Sequence, residues 1–215
     1  YLIETAGQLA GQKVEIAIDE RNATVKAGRA RFTAPILPGA DFPRLSPAFD
    51  TVVDLPGAAL ARIMESAARA AATAADKDPR FYLEGVFLQT AKEPGSDEVR
   101  LVATATNGHR LHSASTEAGS ARLPEGIIVP NKAVAEIARI AAKAEGAVRL
   151  QACGSAVSVE AAGEKLTSKL IEATYPDWRR VVPAPTGVTA IVDLAELLGA
   201  VGRVVKVMEA SRAGK

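Results

Sequence analysis

The chain has 215 residues, 48% of them hydrophobic and 24% charged, which suits a globular protein of one large or two small domains. Its 26 Lys and Arg against 25 Asp and Glu leave a formal charge of +1, which excludes a generally basic nucleic-acid binder but not a local basic surface. Only 4% of the residues are aromatic, so aliphatic side chains and alanine must fill the core.

Residues 1–10 read as the end of a helix or a loop. Over 14–18, Val14, Ile16 and Ile18 alternate as in a half-buried strand. Residues 19–22 form a hairpin turn, 23–26 a second strand and 30–37 a third. The third runs into a Phe42-Pro43 pair. Residues 51–55 are a short strand, and Pro56 suits the first turn of a helix. Helical periodicity continues to about residue 75. Leu60, Ile63, Met64 and Ala67 make its apolar stripe, with Arg62 and Arg69 on another face. Residues 76–79 break the helix. Residues 81–90 read as a strand with Phe81, Leu83, Gly85 and Phe87 on one face. A turn at 93–97, a strand at 98–104, a turn from 106 and a strand to about 115 follow.

A strand at 126–129 leads to Pro130 and a second helix to about 144. Its stripe is Ala133, Val134, Ile137 and Ile140, with Lys132, Arg139 and Lys143 elsewhere, and Gly146 stops it. Strands at 147–152, 156–161 and 165–172 lead into T-Y-P-D-W-R-R-V-V-P at 174–183, which holds the only Trp. The proline at 176 keeps Tyr175 out of helix. A strand at 188–192 precedes Asp193, a suitable cap for a helix carrying Leu194, Leu197, Leu198 and Val201. The chain starts at Tyr1 rather than Met and ends soon after a helical pattern begins, so a piece of a longer protein is expected.

The pieces repeat. Residues 14–32 recur as 148–166, both strand, turn, strand, glycine turn, strand. Phe42-Pro43 recurs as Tyr175-Pro176, and Asp54-Leu55 as Asp193-Leu194. A shorter repeat lies inside: Leu55-Pro56, Leu60 and Ile63 recur as Val129-Pro130, Val134 and Ile137. The chain therefore reads as the end of one unit (1–48), a whole unit (49–178) and the start of a third (179–215). The whole unit is α+β. It has two helices side by side on antiparallel sheet, related by an internal two-fold repeat, with basic residues on their outward faces.

Little here suggests an enzyme. Cys153 is the only cysteine; it permits no internal disulfide, fits a reducing compartment and suits a small buried position. His109 and His112 are the only histidines, with no metal-ligand cluster around them, and Asn107 is no carboxylate to orient an acid–base histidine. No glycine fingerprint for phosphate marks a strand–helix junction, and no apolar run is long enough to span a bilayer. A non-catalytic protein without cofactor or metal is expected.

Five stretches together carry a resemblance: F-Y-L-E-G at 81–85, T-N-G-H-R-L at 106–111, I-I-V-P-N-K at 127–132, T-S-K-L-I at 167–171 and Y-P-D-W-R-R at 175–180. In this order the chain resembles the bacterial DNA polymerase III beta subunit family, the replicative sliding clamps, from late domain 1 to early domain 3. The resemblance implies the DNA clamp fold and a head-to-tail homodimeric ring around double-stranded DNA. It implies a cytoplasmic processivity factor that tethers the polymerase III alpha subunit, the clamp loader and other replication and repair proteins through short linear motifs.

Carried over by position, the partner-peptide pocket would use Leu83, Thr106, Gly108, His109, Arg110, Leu111, Pro176, Arg180 and Val181. The family usually has Asp where Asn107 stands and Tyr where Trp178 stands, so a charge that could orient His109 or Arg110 is lost. The DNA-facing candidates from the resemblance are Lys77, Arg80, Phe81, Tyr82, Lys132 and Arg139; the helix faces add Arg62, Arg69 and Lys143. A basic lining attracts phosphate without reading bases, which permits sliding. The alternative is a protein-interaction scaffold with no DNA role, using the Leu83, Leu111 and Val181 surface alone.

Overall fold

A computed structural model describes residues 13–43, 45–76, 79–92, 97–119, 121–123, 125–184, 187 and 190–213. Residues 1–10, Lys77, most of the 93–97 turn and residues 188–189 lie outside that set. The chain divides into two compact units, Tyr1–Tyr175 and Pro176–Lys215.

The first unit opens with an antiparallel meander of β1 (Glu15–Ile18), β2 (Asn22–Ala27) and β3 (Ala30–Pro35). Its first turn is built as the sequence implies. The Asp19 carboxylate accepts the Arg21 and Asn22 backbone N–H groups at 2.8 and 2.7 Å, and those bonds hold its pKa below the ordinary carboxylate value.

Two βαβββ halves follow. The first is β4 (Thr51–Pro56), α1 (Gly57–Ala68), β5 (Gly85–Lys92), β6 (Val99–Thr106) and β7 (Leu111–Glu117). The second is β8 (Ile127–Pro130), α2 (Asn131–Lys143), β9 (Ala147–Ala152), β10 (Ala156–Ala161) and β11 (Glu164–Lys169). The halves interlock. One sheet runs β11-β10-β9-β4 and the other β7-β6-β5-β8, all antiparallel, so each half lends its first strand to the other's sheet. Val53 stands opposite Leu150, and Val86 opposite Val129.

The helices begin in the same way. Pro56 (φ −58°) and Pro130 (φ −59°) precede them. Each first N–H is satisfied across the two-fold: Gly57 N donates to the Gly146 carbonyl, and Asn131 N to the Glu84 carbonyl. Gly57 is required by packing, because a Cβ there would meet the Ala141 carbonyl oxygen near the end of α2. Both apolar stripes are buried as expected, in one core with Leu88, Leu101, Leu150 and Val159. A twelve-residue helix is marginal alone in water, so this shared core is what holds α1 and α2.

Several expectations need correction, beginning with the half-buried β1, whose residues are all exposed. Helix α1 ends at Ala68, not near residue 75, because Ala70 and Ala71 N–H groups turn back to the Ala67 and Ala68 carbonyls and Asp76 captures Thr73 through its backbone N–H (2.6 Å) and hydroxyl (3.0 Å). Phe81–Leu83 is a 3₁₀ turn rather than the start of a strand. Its N–H groups bond locally, Leu83 to Arg80 and Glu84 to Phe81, so Phe81 and Leu83 do not share a strand face. Strand β11 stops at Lys169 rather than at residue 172, although Ile171 N still reaches the Ile128 carbonyl and joins the two sheets. Ala190–Val192 is not strand: no ladder contains it.

The second unit holds a short 3₁₀ turn at Trp178–Val181 and α3 (Leu194–Ala213), whose Glu196 N–H bonds the Asp193 carboxylate at 2.9 Å. Leu194, Leu198, Val201 and Val204 are exposed along α3. No helix among the described residues is long and apolar enough to cross a membrane.

Candidate functional site

The two core helices pack side by side, so their outward residues form one surface. Arg62 and Glu65 face outward on α1, as does Arg69 just past its end; Lys132, Glu136, Arg139 and Lys143 do so on α2. The sequence reading named the cations and passed over the acids. Arg62 Nη2 donates to the Ser115 carbonyl at 2.7 Å, which lays the guanidinium over β7. Arg139 donates through Nε to Glu136 at 2.7 Å and through Nη1 and Nη2 to both oxygens of Glu164, at 3.3 and 2.7 Å. Lys143 Nζ reaches Glu164 at 3.1 Å. Arg139 first and Lys143 second hold Glu164 at a pKa of about 2. Glu164, then Glu136, raises Arg139 further above its ordinary value. Lys132 and Arg69 are exposed and make no ion pair among the described residues.

Beyond α1, Phe81 is exposed and packs edge-on against the half-buried Tyr82, with ring centroids 5.9 Å apart. Arg80 lies across Gly108, so a residue assigned to DNA touches the loop assigned to peptide. Lys77 lies outside the described residues.

The loop from β6 to β7 is held by its own side chains. Thr106 Oγ1 donates to the Arg110 carbonyl (2.8 Å) and accepts the Gly108 N–H (3.1 Å). Asn107 Oδ1 accepts the His109 and Arg110 N–H groups at 3.1 and 3.2 Å. The amide thus orders His109 and Arg110 through their backbone, without the charge an aspartate would bring. Both side chains are exposed, and Leu111 is half-buried. Leu83 is placed differently: it is 1% exposed, in a small core with Ala72, Ile128 and Tyr175.

Tyr175 ties this region together, a role the sequence reading did not assign. Its ring stacks on Phe87, centroids 4.8 Å apart, and its hydroxyl accepts the Thr106 N–H at 3.1 Å. A cavity of about 390 Å³ opens beside it, lined by Phe87, Gly126, Ile127, Ile171 and Thr174 among others. In the second unit Arg179 covers the Trp178 ring, its Cζ 4.6 Å from the centroid, while Pro176, Arg180 and Val181 are exposed. Arg180 Nε lies 3.6 Å from Asp177.

Gly108 has φ +87°, and a Cβ there would stand 2.7 Å from Arg80 Nη2. Gly108→Ala is therefore expected to cost about 1–2 kcal/mol from backbone strain and to push Arg80 off the loop. A shift of the urea midpoint measures the first effect; an unchanged midpoint would contradict it.

Residues 54–177 match the profile of the DNA polymerase III beta subunit, central domain. The chain belongs to the DNA polymerase III beta subunit family. It is 35% identical over 201 residues to the beta sliding clamp of Caulobacter vibrioides, covering 92% of this chain and 52% of that protein. It is 33% identical over 174 residues to that of Escherichia coli K12, covering 80% and 45%. The fold agrees. The Caulobacter crescentus beta sliding clamp superposes with a TM-score of 0.72 at 34% identity, covering 86% of this chain and 50% of that one. The clamp from Bartonella birtlesii, determined bound to griselimycin, gives 0.73 at 28%, covering 85% and 48%. The chain spans about half the length of the curated clamps it matches.

Among family traits, the α+β unit of two helices on antiparallel sheet was legible in the sequence, whereas the exchange of first strands between the sheets was not. The acids that pair the helix cations were missed. Glu136 and Arg139 stand at i and i+3, a spacing that announces a pair on a helix; Glu164 gave no such signal.

Proposed function

We propose that this chain forms the central part of a ring-shaped sliding clamp that encircles double-stranded DNA and tethers the replicative polymerase to it in the cytoplasm, as a non-catalytic homodimer. In this reading residues 1–48 close a first domain, 49–178 form the second and 179–215 begin the third. The observation that carries it is the pair of helices backed by sheet, with Arg62, Arg69, Lys132, Arg139 and Lys143 all on the outward helix surface. Such a surface attracts phosphates without reading bases. Arg80, Phe81, Tyr82 and Lys77 would extend it. The exposed loop with Gly108, His109, Arg110 and Leu111, ordered by Thr106, would hold peptide from the polymerase alpha subunit, the clamp loader and repair proteins. The resemblance assigns Pro176, Arg180, Val181 and Leu83 to the same peptide; Leu83 itself lies in the small core that Tyr175 closes.

The test compares full-length protein on nicked circular duplex with the same circle linearised, with a clamp loader present, by gel filtration. Retention on the circle and loss from the linear form is the expected result. Equal retention on both would reduce the interaction to ordinary electrostatics. No retention on either would favour the scaffold reading, to which the ion pairing of Arg139 and Lys143 already lends some weight.

A further inference from the structure

The outward helix surface is less basic than its cations suggest, and one residue from outside the helices accounts for much of the difference. Glu164 opens β11 and places its carboxylate between Arg139 and Lys143, one turn apart on α2. Both oxygens are used: Oε2 by Arg139 Nη2, and Oε1 by Arg139 Nη1 and Lys143 Nζ. This is how an arginine and a lysine hold a phosphate, two oxygens shared among charge-assisted donors. Glu136 engages Arg139 at Nε, so it does not occupy the two terminal nitrogens. If Glu164 leaves, those nitrogens and the Lys143 ammonium turn outward together while Glu136 keeps the guanidinium aligned.

We propose that Glu164 is a built-in competitor for the DNA phosphodiester backbone, occupying the Arg139 and Lys143 sites so that phosphates are held weakly and exchanged readily. The proposal rests on the DNA-encircling reading. Its physical content is a trade: each phosphate that docks must displace a carboxylate already in place, so the net gain per phosphate is small. A surface of that kind retains a duplex without fixing it at one position, which sliding requires.

The experiment measures binding of the full chain to a fluorescent duplex by anisotropy across a salt series, for the parent, Glu164→Gln and Glu160→Gln. Glu160 supplies the control. It pairs with Lys165 at 3.6 Å and alternates with the core-facing Val159 and Ala161, so it lies on the sheet face away from the helices. Both variants remove one negative charge. Glu164→Gln is expected to bind about three- to tenfold tighter at about 50 mM salt, with the slope of log K against log salt steeper by about 0.9 for each additional phosphate neutralised. Glu160→Gln is expected to follow the parent. Equal tightening by the two variants would reduce the effect to net charge and overturn the proposal. An unchanged slope for Glu164→Gln, with the parent still binding, would overturn it while leaving the DNA reading intact. No binding by any of the three even at low salt would sink the DNA reading and the proposal with it. Circular dichroism of each variant checks that the fold is retained.

Discussion

Replacing Tyr175 by alanine is expected to lower the stability of the Tyr1–Tyr175 unit by about 3–5 kcal/mol, the range for deleting a buried aromatic side chain. Its ring is 7% exposed, stacks on Phe87 and closes the small core of Ala72, Leu83 and Ile128. That core lies apart from the main one, so little is poised to collapse into the space. Tyr175→Phe keeps the stack and loses only the bond from Thr106 N–H, a cost of about 0.5–1.5 kcal/mol. Urea unfolding separates the two. Equal costs would mean that the hydroxyl, not the ring, is the anchor.

The same residue makes stability depend on pH. Burial pushes the Tyr175 pKa up to about 12, against the opposing Thr106 N–H bond. In the unfolded chain the value is about 10. Between those values the folded state keeps a proton that the unfolded state has lost, so stability is complete below about pH 10 and falls as pH rises towards 12. The loss is on the order of 1–2 kcal/mol once partial solvent screening is allowed for. Tyr175→Phe has no such proton. The difference between parent and variant should therefore shrink over that window, and a constant difference would contradict the assignment.

The second large effect is expected at the two-fold. Ile63 and Ile137 are equivalent positions of α1 and α2, both 0% exposed in the shared core. Ile137→Ala is expected to cost about 2–5 kcal/mol, and Ile63→Ala a similar amount. Against a typical domain stability of about 5–15 kcal/mol, either is serious. Because the helices pack on each other, the pair should be coupled, with the double variant departing from the sum by about 0.5–3 kcal/mol. Strict additivity in denaturant titrations would show that the two halves unfold as separate bodies.

Much of this architecture is legible in the residues because it is written in short periods. Leu60, Ile63, Met64 and Ala67 recur at helical spacing, and their counterparts from Ala133 to Ile140 repeat the message. What failed was decided by partners rather than by period. Phe81, Leu83 and Gly85 alternate like a strand, but the N–H groups of Leu83 and Glu84 find carbonyls three residues back, and a turn results. Residues 190–192 look extended, but no ladder among the described residues includes them. The candidate site divides in the same way. The cations on α1 and α2 could be read from helix faces. The pairing of Arg139 and Lys143 with Glu164 could not, since it depends on how the β10–β11 turn meets α2. Tyr175 announced a proline-restrained aromatic; its bond to Thr106 spans 69 residues of sequence and leaves no local trace.

The exchange of first strands also shapes how the chain is made. Strand β4 has no ladder partner until β9 has been synthesised, since Val53 waits for Leu150. At ribosomal rates of about 5–20 residues per second, that leaves Val53 and Leu55 uncovered for roughly 5–20 s. An open edge with an apolar face invites pairing with another nascent chain. The feature that binds the two halves into one body thus gives the emerging polypeptide an interval in which chaperone cover matters most.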